Sequence, residues 1–381
     1  MAGGALCLLV WLILTSKPAT RFASGEPSIE PDGFQKSASV TELPNAAPHK
    51  IDQPKLRFEP GSKLSAFYQK MAEFAQNHGS KAIPSLQDFL NDANWQTRCA
   101  ALRALAYTGS PEAARILAAY INNETSIEES AQAVMALGEM QLPGTTQTLL
   151  EKYSEKPNDS LRSCLLDTLA SRPYSETASF FQNYLNATDS GMDEKAEVIA
   201  ALGFYKEAPI ELITPFLNST VENLRAGAYQ ALAFRGNSLQ GQLLLSKINS
   251  ENSPETRASL YEAIGAQKDA TSYQIAQAVR QESNPEAQLR AFKAWGAATG
   301  RSQDARERSE FASSAVPKLL EIALANPDPG EQRAALQALA SSRTLEAQKA
   351  LHSIAEKTSS KNLSKLAKGL AENISPQNTS P

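Results

Sequence analysis

Histidine, cysteine and tryptophan each occur only three times in 381 residues, and that scarcity narrows the chemistry open to the chain. None of His49, His78 and His352 is followed by Glu, and no Cys-x-x-Cys pair is present. A Gly-rich phosphate loop and a G-x-S-x-G elbow are missing as well. No catalytic, cofactor or metal site is therefore assigned, since scattered acids carry no enzymatic claim without a second feature. Basic residues number 37 against 41 acidic ones, for a net charge of −4. That balance argues against nucleic acid as a partner, because phosphate binding needs clustered Lys and Arg to release counterions. Strand-like alternation of useful length is absent too, and the expected fold class is all-α.

What the chain does have is a repeat. Taking Leu105 as an anchor, equivalents fall at Leu137, Leu169, Leu202, Leu232, Ile264, Trp295 and Leu339, at steps of 32, 32, 33, 30, 32, 31 and 44. Four residues before each anchor stands an apolar residue (Ala101, Ala133, Leu165, Val198, Ala228, Leu260, Ala291, Ala335), and a large one follows it. These offsets share one helical face. The residue after the anchor is always Ala or Gly, small enough for a neighbouring helix to approach closely. Seven before it, Arg98, Arg162, Lys195, Arg225 and Arg257 are basic, whereas Ser130, Gln288 and Gln332 break the pattern. Second helices carry a row of their own, Tyr120, Tyr153, Tyr184, Phe216, Ile248 and Val279, expected to pack between neighbours. Ser110, Ser253, Asn284 and Asp328 each precede Pro and read as N-caps, and Thr125 to Glu128 reads as a capping box.

Written out as TRCAALRALA, KAEVIAALG, LRAGAYQALA and TRASLYEAIG, the repeat resembles the short, bacterial type of HEAT repeat over about residues 62–357. Eight copies in phase make that resemblance specific. It implies a right-handed α-solenoid, a superhelix of about eight to nine HEAT-like helix pairs, with a scaffold role. HEAT-type hydroxylases bind iron through repeated His-Glu pairs, which this sequence lacks. Bilin lyases use related repeats, yet none of their catalytic residues maps onto a position here.

The flanks differ in composition. Met1–Thr15 has no charged side chain and is followed by Lys17 and Arg21, as in an export signal or membrane anchor. Its length falls short of the ~20 apolar residues of a spanning helix. Residues 1–25 are thus expected to direct export or tether the protein to a membrane, and residues 26–61 to form a disordered Pro/Ser-rich spacer. Residues 62–374 form the repeat region, opening on a capping repeat with Phe74 in the anchor position, and residues 375–381 are a tail. Cys99 and Cys164, two repeats apart, are expected to be unbonded core residues.

Two stretches depart from the repeat. About 12 extra residues lie between Gly300 and Ala315, where Arg301, Arg306 and Arg308 alternate with Asp304, Glu307 and Glu310. These charges are expected either to pair along a short helix or to meet a partner. Leu345–Ile374 is expected to add one helix with Lys357, Lys361, Lys365 and Lys368 on one side. Arg306, Arg308, Lys361 and Lys365 are therefore candidate partner-binding residues on the second-helix surface, suited to an acidic protein or peptide. The function expected is a non-enzymatic interaction scaffold, exported, periplasmic or membrane-tethered. An enzyme or enzyme subunit of the bilin-lyase type and a passive spacer at the cell surface are the alternatives.

Overall fold

The computed structural model describes residues 63–155, 157–187, 191–236 and 239–374. The expected export segment, spacer and tail lie outside them. Among the described residues there is no strand, and no helix is long and apolar enough to cross a membrane. The chain divides into two compact units, one ending at Thr177 and one beginning at Ala178.

The first unit pairs α1 (Lys63–His78) with α2 (Ile83–Phe89), α3 (Trp95–Tyr107) with α4 (Pro111–Tyr120), and α5 (Ile127–Glu139) with α6 (Thr145–Ser154), then adds α7 (Asp159–Ala170) and the start of α8 (Tyr174–Asn186). In the second unit, α9 (Met192–Ala201) runs into 3₁₀ turns over residues 202–204, 210–212 and 214–218, and α10 (Glu222–Arg235) pairs with α11 (Gly241–Lys247). After these come α12 (Pro254–Ala266), α13 (Ser272–Gln281), α14 (Pro285–Thr299), α15 (Ala305–Ser314), α16 (Val316–Ala325), α17 (Pro329–Ser342), α18 (Leu345–Lys357) and α19 (Lys361–Asn373).

All eight anchors are buried, and the residues four positions earlier are completely so. First helices stack on first helices (α3 on α5; α10 on α12, α12 on α14, α14 on α17), and that stack is the core of each unit. The small residue after the anchor allows the stack to close. A Cβ on Gly265 would lie 2.8 Å from Ala294 Cα, and one on Gly203 would lie 2.6 Å from Ala231 Cα.

Several expectations need correction. In the capping repeat Phe74 is half-exposed, and Met71 and Ala75 are the buried pair. The anchor there is Ala75, one residue later, because a terminal helix needs only one apolar stripe and the larger ring sits at its edge. The aromatic row on the second helices is likewise not the buried row: only Tyr153 and Val279 of it are buried. Full burial falls one turn earlier, at Leu117, Leu149, Phe181, Ile213, Leu244 and Ile275, and continues at Leu319 and Leu351. The aromatic side chains stand where the short second helices end, at the rim, so a hydroxyl such as that of Tyr184 can reach Glu194 at 2.7 Å. α5 is capped by Ser126, which accepts from the Glu129 N–H, one residue past the expected box. Thr125 is turned away toward Asn122. The cap expectations at Ser110, Ser253, Asn284 and Asp328 hold, each with Pro in the first turn.

Neither Cys99 nor Cys164 forms a disulfide. Cys99 is buried, and burial pushes its thiol up to about 12, while Cys164 is only partly covered.

The extra residues after Gly300 fold into a helix of their own. Asp304 caps α15, and Phe311 inserts edge-on against Trp295 with ring centroids 5.2 Å apart. Trp295 in turn donates to Ser272 Oγ at 3.0 Å. The final segment holds two helices rather than one. α18 completes a pair, and α19 takes the place of a further first helix, packing on α17 and α18 with Ala367 and Ala371 buried.

Candidate partner-binding surface

Most basic side chains within the repeats are held by the fold itself. The residue seven before the anchor reaches back to the loop that precedes its own helix. Arg98 donates to the carbonyls of Asp92 and Ala93, Arg225 to those of Ser219 and Thr220, and Arg257 to those of Glu251 and Asn252. The exceptions to the basic pattern do the same work: Gln288 donates to the Glu282 carbonyl, Gln332 to that of Asn326, and Ser130 to those of Tyr120 and Asn122. Position, rather than charge, is what the fold requires, because loop carbonyls facing the stack need a donor.

At three of these positions the guanidinium also reaches the following repeat, whereas Arg162 pairs with Asp159 in its own helix. Arg98 pairs with Glu129 at 2.7 Å, Arg225 with Glu251 at 2.8 Å, and Arg257 with Glu282 at 2.9 Å. The last two use both carboxylate oxygens. The hydrogen bond from Arg98 holds the Glu129 carboxyl below its usual range. Burial pushes Glu282 upward, yet donation from Arg257 and from the Asn284 N–H prevails and holds it low.

A second row of donors sits after the anchor. Arg172 donates to the carbonyls of Gly138 and Met140, Arg235 to those of Lys206 and Ala208, and Arg301 to those of Gly265 and Gln267. Each covers the carbonyl end of the preceding first helix or the loop just after it, where a cation is favoured. Acids complete the set at the other end of the second helices. Asp269 accepts from the Gly241 N–H at the start of α11, and Glu307 from the Tyr273 N–H at the start of α13.

Against that background the four candidate residues separate. Arg308 is tied to the Gln303 carbonyl, and the acids beside it reach outward, Glu310 to Arg280 and Glu307 to α13. Two acids of α15 thus find partners on the previous pair, Glu310 a cation and Glu307 an N–H group. Arg306 is exposed and makes no side-chain hydrogen bond or ion pair among the described residues. Lys361 and Lys365 are exposed on α19, joined by Lys368 one turn on, with Lys357 closing α18. None of these four lysines has a hydrogen-bond or ion-pair partner among the described residues. The candidates do not share one helix layer: α15 packs on α13, α14 and α16, whereas α19 stands in the first-helix layer.

Residues 68–138 and 83–170 match the family model of HEAT repeats. No curated protein matches the chain. Among solved structures, the X-ray structure of the Escherichia coli protein YibA is similar at 13% identity, with a TM-score of 0.39, over 84% of this chain and 100% of that one. This chain carries HEAT repeats, and its described residues are all-α, in helix pairs.

Proposed function

From a chain built on HEAT repeats, a helical scaffold for protein interaction, we propose that the surface in use is the lysine face of α19, and that its partner is an acidic protein segment. One observation carries this reading. Residues 343–374 hold six basic and three acidic side chains, a net of +3 in a chain of net −4. Elsewhere most arginines are spent on carbonyls and carboxylates of the fold, but these lysines have no such partner among the described residues.

Two of them also stand where folding alone disfavours a cation. Lys361 occupies the first position of α19, whose first turn holds no acid. A cation against a helix N-terminus loses about 0.3–1 kcal/mol, and Lys361 above Lys365 adds a like-charge pair worth about 0.2–0.5 kcal/mol. An acidic partner relieves both. The reading assigns no catalytic role and no cofactor, and export of the protein remains part of it only through the sequence of residues 1–25.

The test is fluorescence anisotropy of the full chain with a labelled oligoglutamate peptide, at rising salt. Binding should weaken steadily as the screening length falls below ~8–10 Å. Replacing Lys361, Lys365 and Lys368 by Gln should abolish it while the melting temperature holds or rises. Equal binding by the triple variant would refute the surface.

A further inference from the structure

Arg343 is one of two non-glycine residues with positive φ among the described residues, at +52°. It closes α17 in the left-handed conformation that Gly or Asn adopts at far lower cost. The turn is firmly held, since Ser342 Oγ donates to the Leu339 carbonyl and lies 3.3 Å from Thr344 Oγ1, with both hydroxyl residues buried. A residue kept in a costly conformation at a helix end directs attention to its side chain. That side chain is exposed and makes no hydrogen bond or ion pair among the described residues.

Arg343 lines an open cleft of about 450 Å³ within the second unit. The cleft is walled by the ends of three helices. Ala297 and Gly300 come from α14 and the residue after it, Ala340 and Ser341 from α17, and Leu370 and Asn373 from α19. Arg301 is the second cation in its lining, already fixed by the carbonyls of Gly265 and Gln267. The lining thus combines apolar residues with two arginines, of which Arg343 is the one whose guanidinium the fold has not already engaged. Helix C-termini by themselves repel an anion, so Arg343 decides the sign of the site.

We infer that this cleft binds a carboxylate borne on a short aliphatic body, the carboxylate on Arg343 and the body against Ala297, Ala340 and Leu370. The planar fork of Arg343 suits two parallel hydrogen bonds to such a group. Two sources present that chemistry, the C-terminal residue of a peptide and a free branched-chain acid. The cleft is independent of the lysine face, which asks for repeated acidic side chains and has no apolar wall.

Ligand-observed NMR on the full chain tests the inference with three probes: a hexapeptide ending in Ala-Leu with a free carboxylate, the same peptide as its C-terminal amide, and 4-methylpentanoate. The free-carboxylate peptide should bind saturably and its amide at least tenfold more weakly. Binding of 4-methylpentanoate alone would assign the site to free acids and still support it. Arg343→Gly and Arg343→Asn both suit the left-handed turn, so their melting temperatures should not fall, while carboxylate binding drops at least tenfold. Lys365→Gln should leave binding intact. The inference is overturned if neither carboxylate saturates by ~10 mM, if amide and acid bind alike, or if both Arg343 variants bind as the parent does.

Discussion

The same substitution, glycine to alanine within a helix, should have opposite effects at two places in this protein. At Gly265 the new methyl carbon would sit 2.8 Å from Ala294 Cα and 3.1 Å from Ala294 Cβ. Carbon atoms rest at about 3.5–4.0 Å, so α12 and α14 must part by roughly 1 Å at that point. A gap of 0.5–1 Å forfeits about a quarter to a half of each contact's attraction along the stack, and overpacking of this kind costs about 1–3 kcal/mol. Against it stands the helix preference of alanine, about 0.8–1 kcal/mol. The net is a loss of about 0–2 kcal/mol at Gly265. At Gly203 the methyl would run into the Ala231 backbone, which a side-chain rotation cannot relieve, and the loss should be larger. At Gly369, inside α19, nothing lies within 4 Å of the added carbon. There only the preference acts, and stability should rise by up to about 1 kcal/mol. Urea denaturation of the three variants, with hydrogen exchange to place the loss in α12 and α14, decides the matter. If Gly265→Ala is as stable as Gly369→Ala, the small residue after the anchor has no packing role and the stacking argument fails.

Four further outcomes are expected. Arg257→Met should cost about 3–5 kcal/mol, because it strands the buried Glu282 carboxylate, and a double-mutant cycle with Glu282→Gln should recover part of it. Glu129 and Glu282 both have carboxyls held below the usual range, so their stabilisation is fully present above the unfolded value near ~4.3 and is lost as pH falls through the lower folded value. Acid titration of melting temperature should therefore be flatter below about pH 4 for Glu129→Gln, and an unchanged slope would count against the pairing. Phe311→Ala should cost about 3–5 kcal/mol, as for a fully buried ring, whereas a surface loop would lose almost nothing. Cys164 should react with a maleimide in the folded protein well before Cys99, and equal rates would contradict the burial of Cys99.

The first-helix register was legible because its period is carried by residue size. Leu105, Ala101 and Ala106 differ in volume, and the stack reads volume directly. The second-helix register was not, since Tyr120 and Tyr184 are conspicuous by type while the buried Leu117 and Phe181 one turn earlier blend into their helices. Ala75 was missed for a similar reason, standing beside the larger Phe74. α15 was hidden because its only buried large side chain, Phe311, gives no period by itself. Among candidate residues, Lys361 and Lys365 could be picked out by charge against an acidic chain. Arg308 could not be separated from Arg306, because tying a guanidinium to the Gln303 carbonyl depends on loop geometry that no spacing records. Arg343 left no signal, as backbone handedness at a helix end shows in sequence only when Gly or Asn marks it.

The reach of Arg225 and Arg257 into the following repeat gives the chain a grammar of order. Each offers a cation forward, and the Arg257 unit also offers an acid backward in Glu251, so neighbours must agree at the seam. The segment around Arg257 can precede only a segment whose loop supplies an acid where Glu282 stands. One built like that around Gln288 makes no forward demand and can precede anything. Duplicating or shuffling repeats of this protein, in evolution or by design, is therefore free at some seams and forbidden at others, although the helices on either side are nearly alike in size.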